Sequence, residues 1–172
     1  MHPTRTPSRR TCSGEDHGYC CPDGIYLPQP DGTAVHRDDL DTPITVAEVL
    51  HCAALYLYRH GWHQGDMFDN PDQLTPAACA QGAIRMAVCG SPTTAYTDDT
   101  GHLVNQAIAV LAGHLHDTGY VDTDDYYGAL AASDTEIVGD WNDETDRTVT
   151  EVIAALDDAA DDWTRLHPGG AR

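Results

Sequence analysis

The stretch Asp140 to Leu156, DWNDETDRTVTEVIAAL, spaces oxygen-bearing side chains as a calcium loop does. Counting Asp140 as the first position, Asn142, Glu144, Asp146, Thr148 and Glu151 fall at the third, fifth, seventh, ninth and twelfth. That is the ligand order of a helix-loop-helix calcium site, which also takes a glycine at its sixth position. Thr145 stands there, and the approach EIVGDW reads as lacking the incoming helix. A structural reading accounts for the same residues. Acids ahead of a helix meet the positive end of its dipole, Thr148 caps the helix with Glu151, and Arg147 pairs with Asp143. Trp141 then anchors the approach against the body of the fold.

A second group, His60, His63, Asp66 and Asp69, lies within RHGWHQGDMFD. With an acid from the Asp143 region these residues are candidates for a mononuclear metal site, and His60, His63 and Asp143 would serve a metal-dependent enzyme. Gly61 and Gly65 interrupt the backbone, so the competing reading is a turn carrying solvated histidines. A third group, Cys12, His17, Cys20 and Cys21, offers four zinc-type donors. It contains no C-x-x-C pair, and adjacent cysteines are hard to seat on one tetrahedron. Cys52, Cys79 and Cys89 sit among alanines and read as small buried hydrophobes. Phosphate-binding glycine loops, nucleophile elbows and H-E-x-x-H pairs do not occur, and without lysine no Schiff-base chemistry is available.

Those residues have to be positioned by a chain of 172 residues, long enough for one domain with its own core. Nine basic residues, all arginine, face 28 acids for a formal charge of −19. A field of that sign excludes direct binding to nucleic acid and anionic membranes, and leaves open an acidic mimic of DNA. The lysine-free, aspartate-rich composition points to GC-rich coding or a high-salt proteome. Arginines near the start have no apolar run behind them and no stretch is long enough to span a membrane, so a cytoplasmic protein with reduced thiols is expected.

Helical periodicity begins after residue 42. Thr45 and Glu48 form a capping box ahead of Val46, Val49, Leu50, Ala53 and Leu57, and Gly61 ends that helix. A second helix is predicted from Thr75-Pro76 to Gly90, a third from His102 to Asp117, a short fourth in TDDYYGALAAS, and a fifth from Thr148 with the stripe Val149, Val152, Ile153, Leu156, Ala160 and Trp163. The expected fold is mainly α, a compact bundle of four to five helices over residues 43–166. A loosely ordered N-terminal arm (1–42), partly disordered or extended, precedes it, with a small hairpin or an extended stretch packed on the domain around Ile25, Tyr26 and Leu27, and a disordered tail (167–172) follows.

Three stretches in order, Gly61-Trp62-His63-Gln64-Gly65, Cys79-Ala-Gln-Gly82-Ala83-Ile84 and Trp141-Asn142-Asp143 with Arg147-Thr148 and Val152-Ile153, resemble a family of small helical proteins of actinobacteria and their phages whose function is unknown. The resemblance covers about residues 45 to 163 and implies a compact helical domain but no activity. It does not extend to the cysteine-containing arm or to the acidic insert around Tyr126 and Tyr127. Among the matched residues, Gly82 and Ala83 would let the first helix approach the second. Trp62 and Trp141 need an apolar wall and an acceptor, and Gln64, Asn142, Asp143 and Arg147 could form a polar network beside them. That network reads either as a structural lock or as a binding patch for a protein or small-molecule partner. The sequence thus predicts an accessory protein acting by binding through Trp62, Gln64, Trp141, Asn142, Asp143 and Arg147, with the metal-dependent enzyme and the DNA mimic as alternatives.

Overall fold

The computed structural model describes residues 44–120 and 132–168, together with the backbone of four short strands ahead of them. The strands are β1 (Thr11–Cys12), β2 (Cys20–Cys21), β3 (Gly24–Pro28) and β4 (Ala34–His36). They pair antiparallel in the order β1-β4-β3-β2, with Cys21 opposite Gly24 and Leu27 opposite Val35. Ile25 to Leu27, where the sequence admits a hairpin or an extended arm, lie in β3 between β4 and β2.

Five helices follow among the described residues: α1 (Val46–His60), α2 (Ala80–Cys89), α3 (Asp98–Asp117), α4 (Asp134–Asn142) and α5 (Val149–Leu166). The mainly helical architecture agrees with the periodicity. Helix α1 is central, packed on α5 along one flank and α2 along the other, while α3 closes the bundle against α2, α4 and α5. Its buried positions include Val49, Leu50, Ala53 and Leu57, as the spacing predicts, and Thr45 and Glu48 form the capping box. Val152, Ala155, Leu156, Ala159 and Ala160 carry the buried face of α5. Three members of its predicted stripe are displaced from the core, since Val149 is exposed and Ile153 and Trp163 are only partly buried.

Three boundaries differ from the sequence reading. Helix α2 opens at Ala80, not after Thr75-Pro76, because the backbone of Ala77 to Cys79 is already hydrogen-bonded elsewhere. Ala78 N–H donates to the Gly61 carbonyl (3.2 Å), its own carbonyl accepts from His63 N–H (2.9 Å), and Cys79 N–H donates to the Met67 carbonyl (3.1 Å). The segment after α1 thus folds into a small ribbon with Trp62 and Phe68 both bridged to Ala78, and the Cys79 thiol caps the helix by accepting from Gly82 N–H. Helix α3 starts at Asp98 under a Thr97–Thr100 box, with Asp98 and Asp99 at the positive end of its dipole. Helix α4 occupies EIVGDWN, where the sequence pattern predicts no helix. Ser133 and Glu136 cap it reciprocally. The predicted short helix in TDDYYGALAAS and the Tyr126 and Tyr127 insert lie outside the described residues apart from Ala132 and Ser133.

The ribbon is tied to α1 from below by Tyr56, whose buried hydroxyl donates to the Pro76 carbonyl at 2.6 Å. Tyr56→Phe leaves that carbonyl without its donor, so a loss of about 1 kcal/mol in urea unfolding is expected. An unchanged midpoint would show that the bond contributes nothing to stability.

Candidate functional site

At the C-terminal end of α1 the fold converges on Asn142, the last residue of α4, which is 1% exposed. Its Oδ1 accepts from Trp62 Nε1 (2.9 Å) and from Ala80 N–H (3.0 Å). Its Nδ2 donates to the His63 carbonyl (3.3 Å) and to Asp143 Oδ1 (2.7 Å). One amide side chain therefore links the ribbon, the N-terminus of α2 and the end of α4. Gln64 adds a second clasp, donating from Nε2 to the carbonyls of Asn142 (3.0 Å) and Glu144 (2.9 Å), and Gly65 N–H donates to Asp143 Oδ1 (2.9 Å).

Arg147 works from the other side. Its Nε donates to the Trp141 carbonyl (3.0 Å), its guanidinium pairs with Glu144, and its Cζ lies 4.5 Å over the Trp141 ring. The predicted Asp143–Arg147 pair is replaced by these contacts, because Asp143 is turned toward Gly65 and Asn142. Trp141 is 1% exposed and meets the Tyr120 ring edge-on at 6.0 Å. Trp62 finds its acceptor in Asn142, whereas Trp141 Nε1 has none among the described residues. Gly82 does allow a close approach, but by the Met67 backbone of the ribbon and not by α1. All six residues predicted as a patch are thus brought together.

A separate feature lies along the outer seam of α1 and α5. There a groove of about 490 Å³ is lined by Glu48, His51, Cys52, Ala54, Leu55, Tyr58, Ile153 and Asp157. Its apolar walls come from Ala54, Leu55 and Ile153, and Tyr58, 77% exposed, stands among its lining residues. His51 Nδ1 is 3.0 Å from Asp157 Oδ1 and its Nε2 is 3.6 Å from Asp161 Oδ1. The hydrogen bond to Asp157, aided by the charge of both aspartates and opposed by partial burial, raises the His51 pKa above its ordinary value of 6.5. Farther along α5, Asp162 meets the buried His114 of α3 at 3.1 Å and Arg165 at 2.8 Å. Three of the carboxylates on α5 therefore already face histidine or arginine partners within the molecule.

A family model described as a family of unknown function, DUF6197, matches residues 41–162. The chain belongs to that family. No curated protein and no solved structure matches it. The DUF6197 region contains both the Asn142 network and the groove, and it leaves β1 to β4 outside.

Within the DUF6197 domain the metal candidates do not converge. No group of three or more His, Cys, Asp or Glu side chains able to hold an ion occurs among the described residues. Asp143 is committed to Gly65 and Asn142, and partial burial beside Arg59 lowers the pKa of His60. The calcium spacing is broken by α4, which takes Asp140 and Asn142 into a helix, while Glu151 Oε2 accepts from Thr148 in the cap of α5. Those bonds, with Thr148 Oγ1 first, hold the Glu151 carboxyl below its usual pKa. In the arm, Cys12 lies on β1 and Cys20 and Cys21 lie on β2, the two outer strands of the order β1-β4-β3-β2. His17 lies outside the described residues. Cys52 and Cys79 are buried as predicted, Cys89 only partly, and burial raises the thiol pKa of Cys79 and Cys89. No described helix is long and apolar enough to cross a membrane.

The groove escaped the sequence reading, although a signal for it existed. Glu48, His51, Cys52, Leu55 and Tyr58 recur at helical spacing on a second face of α1, beside the core stripe. Leu55 and Tyr58 are more apolar surface than a solvated helix face needs.

Proposed function

We propose that this domain is an accessory protein that works by binding a small molecule in the groove between α1 and α5, with the Asn142 network as the framework that holds the bundle in shape. The groove carries the reading. Its volume, about 490 Å³, its apolar lining and its few polar groups at the margin are the combination that small-molecule sites share. The network offers a ligand less, because Asn142 is buried with both ends of its amide bonded and Gln64 is engaged by two carbonyls. The lysine-free, aspartate-rich composition supports an actinobacterial or actinophage setting for this role.

A fragment screen by two-dimensional NMR tests it. Shift changes are expected on Cys52, Leu55, Tyr58 and Ile153, and they should vanish in Ile153→Trp, which fills the groove from a partly buried position. Changes centred on Trp62, Gln64 and Arg147 would move the site to the network instead. A screen without a single hit on either surface would overturn the binding reading.

A further inference from the structure

We infer that the groove selects an amphipathic cation, a molecule whose apolar body lies on Ala54, Leu55 and Ile153 and whose positive head sits between Glu48 and Asp157. The inference rests on the proposed binding role and adds the chemistry of the ligand. Glu48 and Asp157 come from the two helices that form the groove, and no arginine lines it; Thr45 takes Glu48 Oε2 and His51 takes Asp157 Oδ1, which leaves Oε1 and Oδ2 to meet a positive head. Asp161, one turn beyond Asp157, reaches the same histidine and adds a third carboxylate near the margin.

Charge decides among the possible occupants. A second copy of this chain would bring the same carboxylates, and a formal charge of −19, against their own kind. A fatty acid or an anionic lipid surface meets the same repulsion. A neutral apolar molecule would use the walls and gain nothing from the negative margin. A cation with an apolar body uses both, and the field of the whole protein steers it inward.

His51 makes the site sensitive to pH. It is the one lining residue that can itself become positive, and it faces Asp157 and Asp161 from α5 and shares its own helix with Glu48. When protonated it supplies the charge that the ligand head would supply. Cation affinity therefore rises as pH increases through the His51 pKa, which lies above 6.5 because of the Asp157 hydrogen bond. The stability that His51 contributes runs the opposite way: it is complete below the unfolded pKa and is lost as pH rises through the folded one.

Titration calorimetry at low ionic strength, with decylamine, decanol and decanoate each below its micelle concentration, tests the inference. Decylamine is expected to bind at least about tenfold more tightly than decanol, with no binding of decanoate. Asp157→Asn should weaken decylamine about fivefold and leave decanol unchanged, and His51→Gln should flatten the pH dependence. Circular dichroism establishes that each variant is folded. If decanol binds as tightly as decylamine, the cation inference is overturned while the groove survives as a site. If neither amphiphile binds, the inference fails together with the binding role beneath it.

Discussion

Replacing Asn142 by alanine is expected to destabilise the protein by about 3 to 5 kcal/mol, more than the loss of any one surface contact would. The side chain is 1% exposed and makes four hydrogen bonds to three separate segments. Alanine removes the acceptor for Trp62 Nε1 and Ala80 N–H and the donor for the His63 carbonyl and Asp143. A buried group left unpaired costs about 1 to 3 kcal/mol, and the Ala80 amide is fully buried. Trp62 is partly exposed, so water can recover some of its share, which keeps the total below the sum of four bonds. Urea unfolding followed by tryptophan emission reads the effect directly. A loss under about 1 kcal/mol would mean that the network does not hold the ribbon to α4.

Asn142→Asp separates the two ends of the amide. The carboxylate still accepts from Trp62 and Ala80, but it loses both donations and stands beside Asp143 Oδ1, which is 2.7 Å from Nδ2 in the native protein. Burial and the neighbouring carboxylate both raise the folded-state pKa of the new acid. A carboxyl whose folded pKa is raised destabilises the protein above that pKa, and the penalty fades as pH falls through it. The variant should therefore approach the wild type in acid and fall furthest behind at neutral pH.

How much of this was legible in the sequence depended on how local each cause is. Thr45-Glu48 and Thr148-Glu151 are capping boxes four residues long, and both helices begin where those residues place them. Ser133-Asp-Thr-Glu136 carries the same signature, yet α4 was missed because its buried side is only Val138, Trp141 and Asn142, too few apolar residues for a stripe. Thr75-Pro76 is locally a better helix start than Cys79, and it lost because Gly61, His63 and Met67 take up the backbone of Ala78 and Cys79. Gathering Trp62, Gln64, Asn142, Asp143 and Arg147 into one network followed from the family resemblance of the three stretches that carry them. Its wiring did not, since Trp62 and Asn142 are 80 positions apart and Asp143 chose Gly65 over Arg147.

Gly82→Ala carries the second large expected effect, because it strikes the same framework through sterics. On an open helix the exchange of glycine for alanine stabilises by up to about 1 kcal/mol. At Gly82 a Cβ would stand 2.3 Å from the Met67 carbonyl oxygen and 3.1 Å from Ala78 Cβ, so backbone must move. The Met67 carbonyl also accepts from Cys79 N–H, and the ribbon that contains it presents Trp62 to Asn142. Displacing it strains the cap of α2 and the network together, and a loss of about 2 to 4 kcal/mol is expected. Gly113→Ala on α3 is the matched control, since nothing lies within 4 Å of a Cβ there. It should leave stability unchanged or raise it slightly, while Gly82→Ala lowers the urea midpoint and alters tryptophan emission as Trp62 loses its acceptor. Equal midpoints for the two variants would show that the ribbon yields without cost, and that Gly82 is not what lets it lie against α2.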